Sequence, residues 1–571
     1  MRTVTQESIE GIARKYPKKE SAVLPVMQLI QAENGGTLTV EAISAVSRAM
    51  EISIQRVYGI ATYYTMFNTP AVGKYHLQVD TCVPGFLHGA DGIVAHLART
   101  LGIAPGQTTP DGMFTLSTVQ DLASCATGPV IQVNDRYFEN MTIAKTDQLL
   151  EALRKGQMPV NDPSMKVHSE CGILLNDRTQ PDCRTLAFYK KKGGYQSLAK
   201  AKSMKPADVI NEVKDAQIRG RGGAGFEAGA KWSFLPKGDL RPVYLICNAD
   251  EGEPGTFKDR QIMEFNPHLL IEGLAISAHA IGAAKAFIYI RGEFAWIAEI
   301  LETAIAEAGA DGLLEHVDIV VHRGAGSYVC GDETAQIESL EGKRGNPRSK
   351  PPFPASFGLY GCPTVVNNVE TLSNVPYIIQ HGAQAFKRIG VPDNYGPKIF
   401  GVSGHVNSPG IFEYPLGTPL KTILEAAGGV KGKLKGVIVG GLSVPILTAG
   451  EVEGLCLDYD ACRKAGTSLG SGGIIVVNDT VSIPELALRT IEFYEHESCG
   501  QCVPCREGSH VIASKLRAMI DGRGGTADID LILQLCRTIP GLTICPTGEA
   551  FSLPIFAMIT KFKPEFEALT Q

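Results

Sequence analysis

The chain has 571 residues, a formal net charge of −6, and 44% hydrophobic against 20% charged residues. That length exceeds a single core and implies roughly three to four domains, while the composition excludes disordered, collagen-like and coiled-coil chains. With no long Lys/Arg block, an extended nucleic-acid footprint is excluded as well.

In chain order, the opening MRTVTQESIEGIARKYPKKE has no apolar core of the kind a signal peptide needs. Residues 1 to about 68 carry apolar positions at helical spacing in SAVLPVMQLIQA and VEAISAVSRAM, and KYHLQVD then starts a short alternating region. The stretch TLTVEAISAVSRAMEISIQRVYGIATYY has helix-turn-helix character but no basic recognition face, so it reads as a helical layer. Pro159, Asn161, Asp162 and Pro163 predict a linker over 156–184. Residues 185–395 alternate helices with the apolar strands VYLICNAD, AFIYI and VDIVVH, an α/β block. Its most apolar stretch, LLIEGLAISAHAIGAAKAF, is interrupted by Glu272, His279 and Lys285, so no membrane span is expected and the location reads as cytoplasmic. Residues 396–480 give a strand-hairpin-helix-strand pattern, a small α+β module, and 481–571 turn helical. The fold class is therefore multidomain, α/β and α+β.

GRGGAGFEAGAKW, residues 220–232, holds Gly220, Gly222 and Gly225 in G-x-G-x-x-G spacing. A Rossmann loop must follow a strand, yet PADVINEVKDAQI places Val209, Ile210, Val213 and Ala216 on one helical face. What survives is local physics: glycines admit backbone N–H groups close to a phosphate or ring, Lys231 adds a cation, and Phe226, Trp232 and Phe234 add stacking surface. A flavin or nucleotide loop and a plain helix-to-loop turn both fit. CNADEGEPGTFKDR, residues 247–260, sets Asp250, Glu251 and Glu253 together after a buried strand, as a solvated loop or as acceptors for flavin edges and nucleotide hydroxyls. GAGSYVCGDETA, residues 324–335, again joins a strand to a helix start, where α/β sheets bind ligands.

ESCGQCVPCREG supplies Cys499, Cys502 and Cys505 in C-x2-C-x2-C spacing, and GLTICPTGEA brings Cys545. Three bunched thiolates plus one distant fit a [4Fe–4S] cluster better than zinc, whose motifs usually pair two ligands with two. Cys536 in LQLCRTI reads as a helix-face residue, and Cys171, Cys183, Cys247, Cys330, Cys362, Cys456 and Cys462 lack metal spacing.

These segments, together with LEGKRGNPRSKPPFPASFGLYGCPTVVNNVETL, closely resemble the NADH-binding flavoprotein subunit of respiratory complex I, a family shared with NAD-reducing hydrogenases and NAD-dependent molybdenum or tungsten formate dehydrogenases. The resemblance covers about 185–570. Residues before about 155, with VYGIATYYTMF and LHGADG, resemble the small thioredoxin-like subunit of the same systems, here fused. It implies an N-terminal helical and thioredoxin-like domain (1–155), a linker (156–184), an FMN and NAD(H) domain (185–395), a ubiquitin-like, SLBB-type module (396–480) and a helical [4Fe–4S] domain (481–571). It further implies that Gly222, Gly223, Lys231, Asn248, Asp250, Glu251, Tyr328, Gly331, Asp332, Asn367 and Asn368 surround FMN. Phe226, Phe234 and Phe353 would hold the adenine end of NAD(H), and Glu253, Glu333 and Lys350 its polar parts, with Glu253 and Glu333 orienting the nicotinamide. No side chain need be a nucleophile, because the cofactors do the chemistry. Asp332 stands where the family's CGEET motif carries Glu, which keeps the carboxylate and shortens its reach.

In relatives the small domain holds a [2Fe–2S] cluster between pairs spaced C-x4-C and C-x3-C. The matching positions here are Asp80, Gly85, Asp121 and Cys125, so one thiolate remains, with Cys82 nearby. Loss of that cluster is expected. The fused architecture looks most like the beta subunit of NAD-dependent formate dehydrogenase, whose partner is a large molybdopterin (Mo or W) subunit with further iron–sulfur clusters. A complex I subunit and a hydrogenase diaphorase are the alternatives, and a noncatalytic cluster scaffold is the rival from another class.

Overall fold

The computed structural model describes residues 5–570. Four helices come first, Gln6–Ala13, Val23–Glu33, Val40–Met50 and Ile54–Ala61, three of them opened by Thr5, Thr39 or Ser53 accepting a backbone N–H of the first turn. Their apolar faces, including Val23, Met27, Ile43 and Val46, share one core with Tyr244, Ile246, Phe287, Tyr289 and Val320. They therefore form a layer over the central sheet. Polar ties reinforce the docking: Tyr16 Oη lies 2.9 Å from His322 Nδ1, and Gln28 Nε2 donates to the Gly324 carbonyl at 2.7 Å.

The thioredoxin-like sheet follows, with β1 (Tyr75–Asp80), β2 (Phe114–Val119), β3 (Ile131–Val133) and β4 (Arg136–Phe138) in the order β2-β1-β3-β4. Leu77, Val79, Leu116 and Val133 pack under the helices Ala90–Leu101 and Ile143–Arg154. The alternate residues His76, Gln78, Ser117 and Gln132 line a cavity of about 300 Å³ that also touches Asp250, Tyr328 and Glu497.

The 156–184 stretch is more than the expected linker. Within it β5 (Lys166–Ser169) pairs in parallel with a strand of the later α+β module. The buried Glu413 carboxylate fastens this segment, accepting from Ser169 Oγ at 2.5 Å and from the amides of Ile173, Leu174 and Leu175 at 3.1, 2.9 and 3.1 Å. A four-residue strand with Val167 alone among polar residues carries no apolar period of its own; its partner is what makes it a strand.

The central sheet is parallel throughout, in the order β8-β7-β6-β9, from β6 (Tyr244–Ala249), β7 (Lys285–Ile290), β8 (Asp318–Arg323) and β9 (Thr364–Asn368). The helices Pro267–Ile281 and Ala295–Ala310 cover its second face, which is why strands such as YLICNA are apolar on both sides. A small hairpin, β10 (Gly390–Val391) and β11 (Asn394–Tyr395), leads into β12 (Pro397–Gly404), β13 (Gly410–Pro415), β14 (Leu434–Val439), β15 (Leu447–Thr448) and β16 (Gly473–Asn478). These strands and β5 form one sheet in the order β15-β14-β16-β12-β13-β5. The helices Ile483–Glu497, Val503–Ile520, Thr526–Thr538 and Thr547–Lys561 close the chain as a bundle around Leu486, Ile512, Leu516, Phe551 and Ile555.

Replacing Glu413 by Ala strands three interior amides, each worth roughly 1–3 kcal/mol. The expected outcome is a lowered thermal midpoint with faster proteolysis within 156–175; an unchanged cleavage pattern would show that another contact holds the segment.

Candidate functional site

Three loops converge at the carboxyl ends of β6, β8 and β9. The glycine-rich loop is closed by an Arg219–Glu227 bridge and by the Gly220 amide donating to the Phe226 carbonyl at 2.8 Å. The helix Pro206–Asp215 precedes it, so this is no Rossmann turn. Tyr459 packs on it from the α+β module: its hydroxyl donates to the Gly220 carbonyl at 2.7 Å, and a Cβ on Gly225, at φ +67°, would sit 2.8 Å from its ring. Gly222 lies so close to Asn368 that a Cβ there would be 3.1 Å from Asn368 Cβ, whereas Gly223, at φ +136°, faces open space. Arg221 is fully buried as the anchor, its amide on Thr371 Oγ1 at 2.8 Å and its guanidinium on the Tyr395 carbonyl at 2.7 Å.

Beside the loop, Lys231 Nζ meets Glu333 Oε2 at 2.8 Å, and Lys350 Nζ lies 3.3 Å from Glu333 Oε1 and 3.5 Å from Asp332 Oδ2. Burial pushes the Glu333 carboxyl up, but the two ammonium groups outweigh it and hold it below the usual carboxylate range. Asp332 is the N-cap of the helix Glu333–Leu340, accepting from the amides of Thr334 and Ala335 at 2.9 and 3.2 Å. The shorter acid at this position thus gains a cap. Asn248 Nδ2 donates to the Gly331 carbonyl at 2.8 Å, Trp232 Nε1 donates to Asn367 Oδ1 at 2.8 Å, and Asn368 Nδ2 donates to Asp259 Oδ2 at 2.6 Å. Phe226 and Phe234 stand 5.9 Å apart and, with Phe353, are more than half exposed at 53%, 59% and 58%.

The three acids after β6 have separate fates. Asp250 Oδ2 is buried with no hydrogen-bond partner, and burial raises its carboxyl far above the usual range. An unpartnered carboxyl oxygen, 3.9 Å from where a Cβ on Gly331 would lie, fits a ligand that brings its own hydrogen-bonding groups, as FMN does. Glu251, expected at the flavin, accepts the amides of Asp259 and Arg260 at 2.8 and 2.9 Å and so caps the helix Lys258–Phe265. Glu253 accepts the Tyr328 hydroxyl and the Ser443 amide, both at 2.7 Å, which joins the central domain to the α+β module. Tyr328 in turn donates its amide to Glu497 Oε2 at 2.8 Å and sets its ring edge-on to Phe493 and Tyr494.

Glu497 ends the helix that leads into Cys499. Cys502 caps the helix Val503–Ile520, and Cys505 is buried one turn into it. Cys545 returns to the same place, since the neighbouring Ile544 amide lies 3.4 Å from Cys502 Sγ. Burial pushes the Cys505 thiol up to about 11, and Cys545, Cys499 and Cys502 add to the rise against a lowering bond from Ser498. Iron, which binds the thiolate form, would favour deprotonated sulfur at this place. Cys536 packs in the bundle core, 3% exposed. Sequence reasoning missed Arg221, Tyr459, Ser443 and Glu497. Glu497, adjoining the cysteine motif, carried the one available signal.

In the thioredoxin-like domain the positions of the second cluster are drawn together and closed. Asp80 Oδ1 and Oδ2 accept the amides of Cys82 and Leu122 at 2.9 and 3.0 Å. A Cβ on Gly85 would lie 2.5 Å from the Asp80 carbonyl oxygen. Arg291, from the central domain, pairs with Asp121 Oδ2 at 2.8 Å.

Four family models match along the chain: a thioredoxin-like [2Fe-2S] ferredoxin over 9–154, a Nuo51 FMN-binding domain over 213–377, an SLBB domain over 399–446, and an NADH-ubiquinone oxidoreductase-F iron-sulfur binding region over 485–569. An F subunit of NADH-quinone oxidoreductase in Rhizobium meliloti (strain 1021), the second of that name, is 48% identical over 408 residues, 69% of this chain and 97% of that protein. The corresponding F subunit in Rickettsia bellii (strain OSU 85-389) is 50% identical over 375 residues, 64% of this chain and 90% of that protein. Among solved structures, a chain of an NAD+-reducing [NiFe]-hydrogenase in the air-oxidized state superimposes with a TM-score of 0.86 at 32% identity, covering 96% of this chain and 94% of that one.

Because the Glu333 carboxyl is held below the ordinary range, its pairing with Lys231 and Lys350 is complete at neutral pH and is lost only as pH falls through the depressed value. KM for NADH should accordingly stay flat between about pH 6 and 8. A KM that rises steeply from pH 7 to 6 and is flattened by Glu333→Gln would contradict this pairing.

Proposed function

Because the chain belongs to the NADH-binding flavoprotein family of complex I-type oxidoreductases, we propose that it is the diaphorase subunit of a larger enzyme and exchanges electrons between NAD(H) and a partner through its own FMN and one [4Fe–4S] cluster. Its cofactors are FMN, iron–sulfur and NAD(H). When bound, FMN supplies the conversion between a two-electron hydride and single electrons.

The residues do the holding. The Gly222–Gly223 backbone and Lys231 take the phosphate side, Asn248, Asp250, Tyr328, Gly331, Asp332, Asn367 and Asn368 frame the flavin, and Phe226, Phe234 and Phe353 stack the adenine end of NAD(H). Glu333, Lys350 and Glu253 meet its polar parts, and Cys499, Cys502, Cys505 and Cys545 ligate the cluster. One observation carries this reading: Tyr328 binds Glu253 through its hydroxyl and Glu497 through its amide, so the flavin-side loop and the cysteine helix are held by one residue.

For the second substrate we propose formate, oxidised in a partner molybdopterin subunit whose electrons reduce NAD+. The fused arrangement and the altered ligands Asp80, Gly85 and Asp121 support it. The hydrogenase likeness, which spans the thioredoxin-like domain too, favours hydrogen as the second reading. Anaerobic NAD+ reduction by the purified complex with formate, hydrogen or a quinol separates them; activity with hydrogen alone would overturn the formate assignment. Among the described residues no helix is long and apolar enough to cross a membrane.

The chain by itself should reduce ferricyanide with NADH. Removing one charge-assisted contact in Lys231→Ala or Glu253→Ala should lower kcat/KM about tenfold or more, at roughly 1.5–3 kcal/mol per contact; wild-type rates in both would sink the pocket. Cys502→Ala should leave ferricyanide reduction near the wild-type rate and abolish delivery to the partner, since the cluster lies after the flavin. Equal loss of both activities in folded, flavin-loaded protein would argue against that order.

A further inference from the structure

The remnant of the second cluster site holds a different set of donors. Asp80 ends β1, Cys82 caps the short helix Val83–Leu87, and Asp121 follows β2; one oxygen or sulfur from each lies within 4.8 Å of the others, and all three residues are buried. Cys125, 2% exposed, stands beside this group with its Sγ 3.9 Å from Asp121 Oδ1. Two sulfurs and two carboxylates thus converge from two strand ends and the turns after them.

The charge balance of this pocket is incomplete. Two aspartates face a single guanidinium, Arg291, which Glu293 shares at 3.1 Å. Buried carboxylates without a countercharge are costly. The groups around the donors already hold them as ligands are held. The Gly255 amide points at Cys125 Sγ at 3.3 Å, a donor suited to a thiolate. The amides of Cys82 and Leu122 take one lone pair from each Asp80 oxygen, Arg291 takes Asp121 Oδ2 and the Cys125 thiol faces Asp121 Oδ1, which leaves further lone pairs on both carboxylates.

We propose that Asp80, Cys82, Asp121 and Cys125 bind one zinc ion, a mononuclear site in place of the [2Fe–2S] cluster. Zinc accepts both sulfur and carboxylate oxygen in a tetrahedron, with Zn–S about 2.3 Å and Zn–O about 2.0–2.2 Å. Two sulfurs disfavour calcium and magnesium. A [2Fe–2S] cluster of the family's kind would need thiolates at 80, 85 and 121, and at 85 the backbone has closed on the Asp80 carbonyl. Binding releases the two thiol protons and changes no oxidation state. Through Asp121–Arg291 and Cys125–Gly255 the ion would fix the thioredoxin-like domain on the flavin domain.

The test is elemental analysis and zinc K-edge absorption fine structure on the full chain, expressed with zinc and loaded with FMN and [4Fe–4S]. The expected result is about one zinc per chain with two sulfurs near 2.3 Å and two oxygens near 2.0–2.2 Å. Cys82→Ala and Asp121→Asn should each lower zinc about tenfold or more while FMN content holds, and Cys502→Ala should leave zinc in place. Zinc below about 0.1 per chain, a first shell of four sulfurs, or zinc unmoved by Cys82→Ala would overturn the site. Should the variants fail to fold, the wild-type sulfur and oxygen count decides alone.

Discussion

One tyrosine sets the geometry on which the rest depends. Tyr328 sits where the chain leaves β8, and its hydroxyl, amide and ring each go to a different partner: Glu253 after β6, Glu497 at the end of a bundle helix, and the Phe493–Tyr494 pair on that helix. Glu253 extends the link to the Ser443 amide of the α+β module. Three units meet at this residue, so the loop proposed to frame the flavin cannot shift without moving the helix that carries Cys499. Electron transfer between two cofactors needs a fixed separation, and these hydrogen bonds are short and half-buried or better.

The anchoring continues across the same cavity through Arg291, which leaves β7 and pairs with Asp121 of the thioredoxin-like domain. The family's second cluster position has become a contact between domains. Asp80 and Asp121, poor cluster ligands, are good acceptors for backbone amides and a guanidinium, and they use lone pairs there. The Asp121–Arg291 pair ties this domain to the central one.

Much of this was legible in the sequence for a physical reason: the chemistry is concentrated in short segments whose residue types have few other uses. Three cysteines at C-x2-C-x2-C spacing announce a cluster, whereas glycines followed by Lys231 and aromatics leave a ligand loop and a plain turn both open until the family resemblance is added. Periodicity placed the parallel strands, because strands buried on both faces are continuous apolar runs. β5 escaped because a lone Val167 among three polar residues makes no pattern until β13 pairs with it, and the N-terminal helices' role as a layer of the central sheet escaped because amphipathicity says that a face is buried, not against what. The place of Glu251 in its motif points to the flavin; only the fold shows its carboxylate capping the helix Lys258–Phe265. Long-range partners such as Tyr459 on Gly220 leave no local mark.

The central claim is that one FMN and one [4Fe–4S] cluster form the whole relay of this chain. Anaerobic reductive titration followed by electron paramagnetic resonance tests it most directly. The expected result is uptake of about three electrons per chain, two by flavin and one by the cluster, with a single iron–sulfur signal that Cys502→Ala abolishes. Uptake of about four electrons, with a second signal that survives Cys502→Ala, would show a working [2Fe–2S] centre in the thioredoxin-like domain and contradict it.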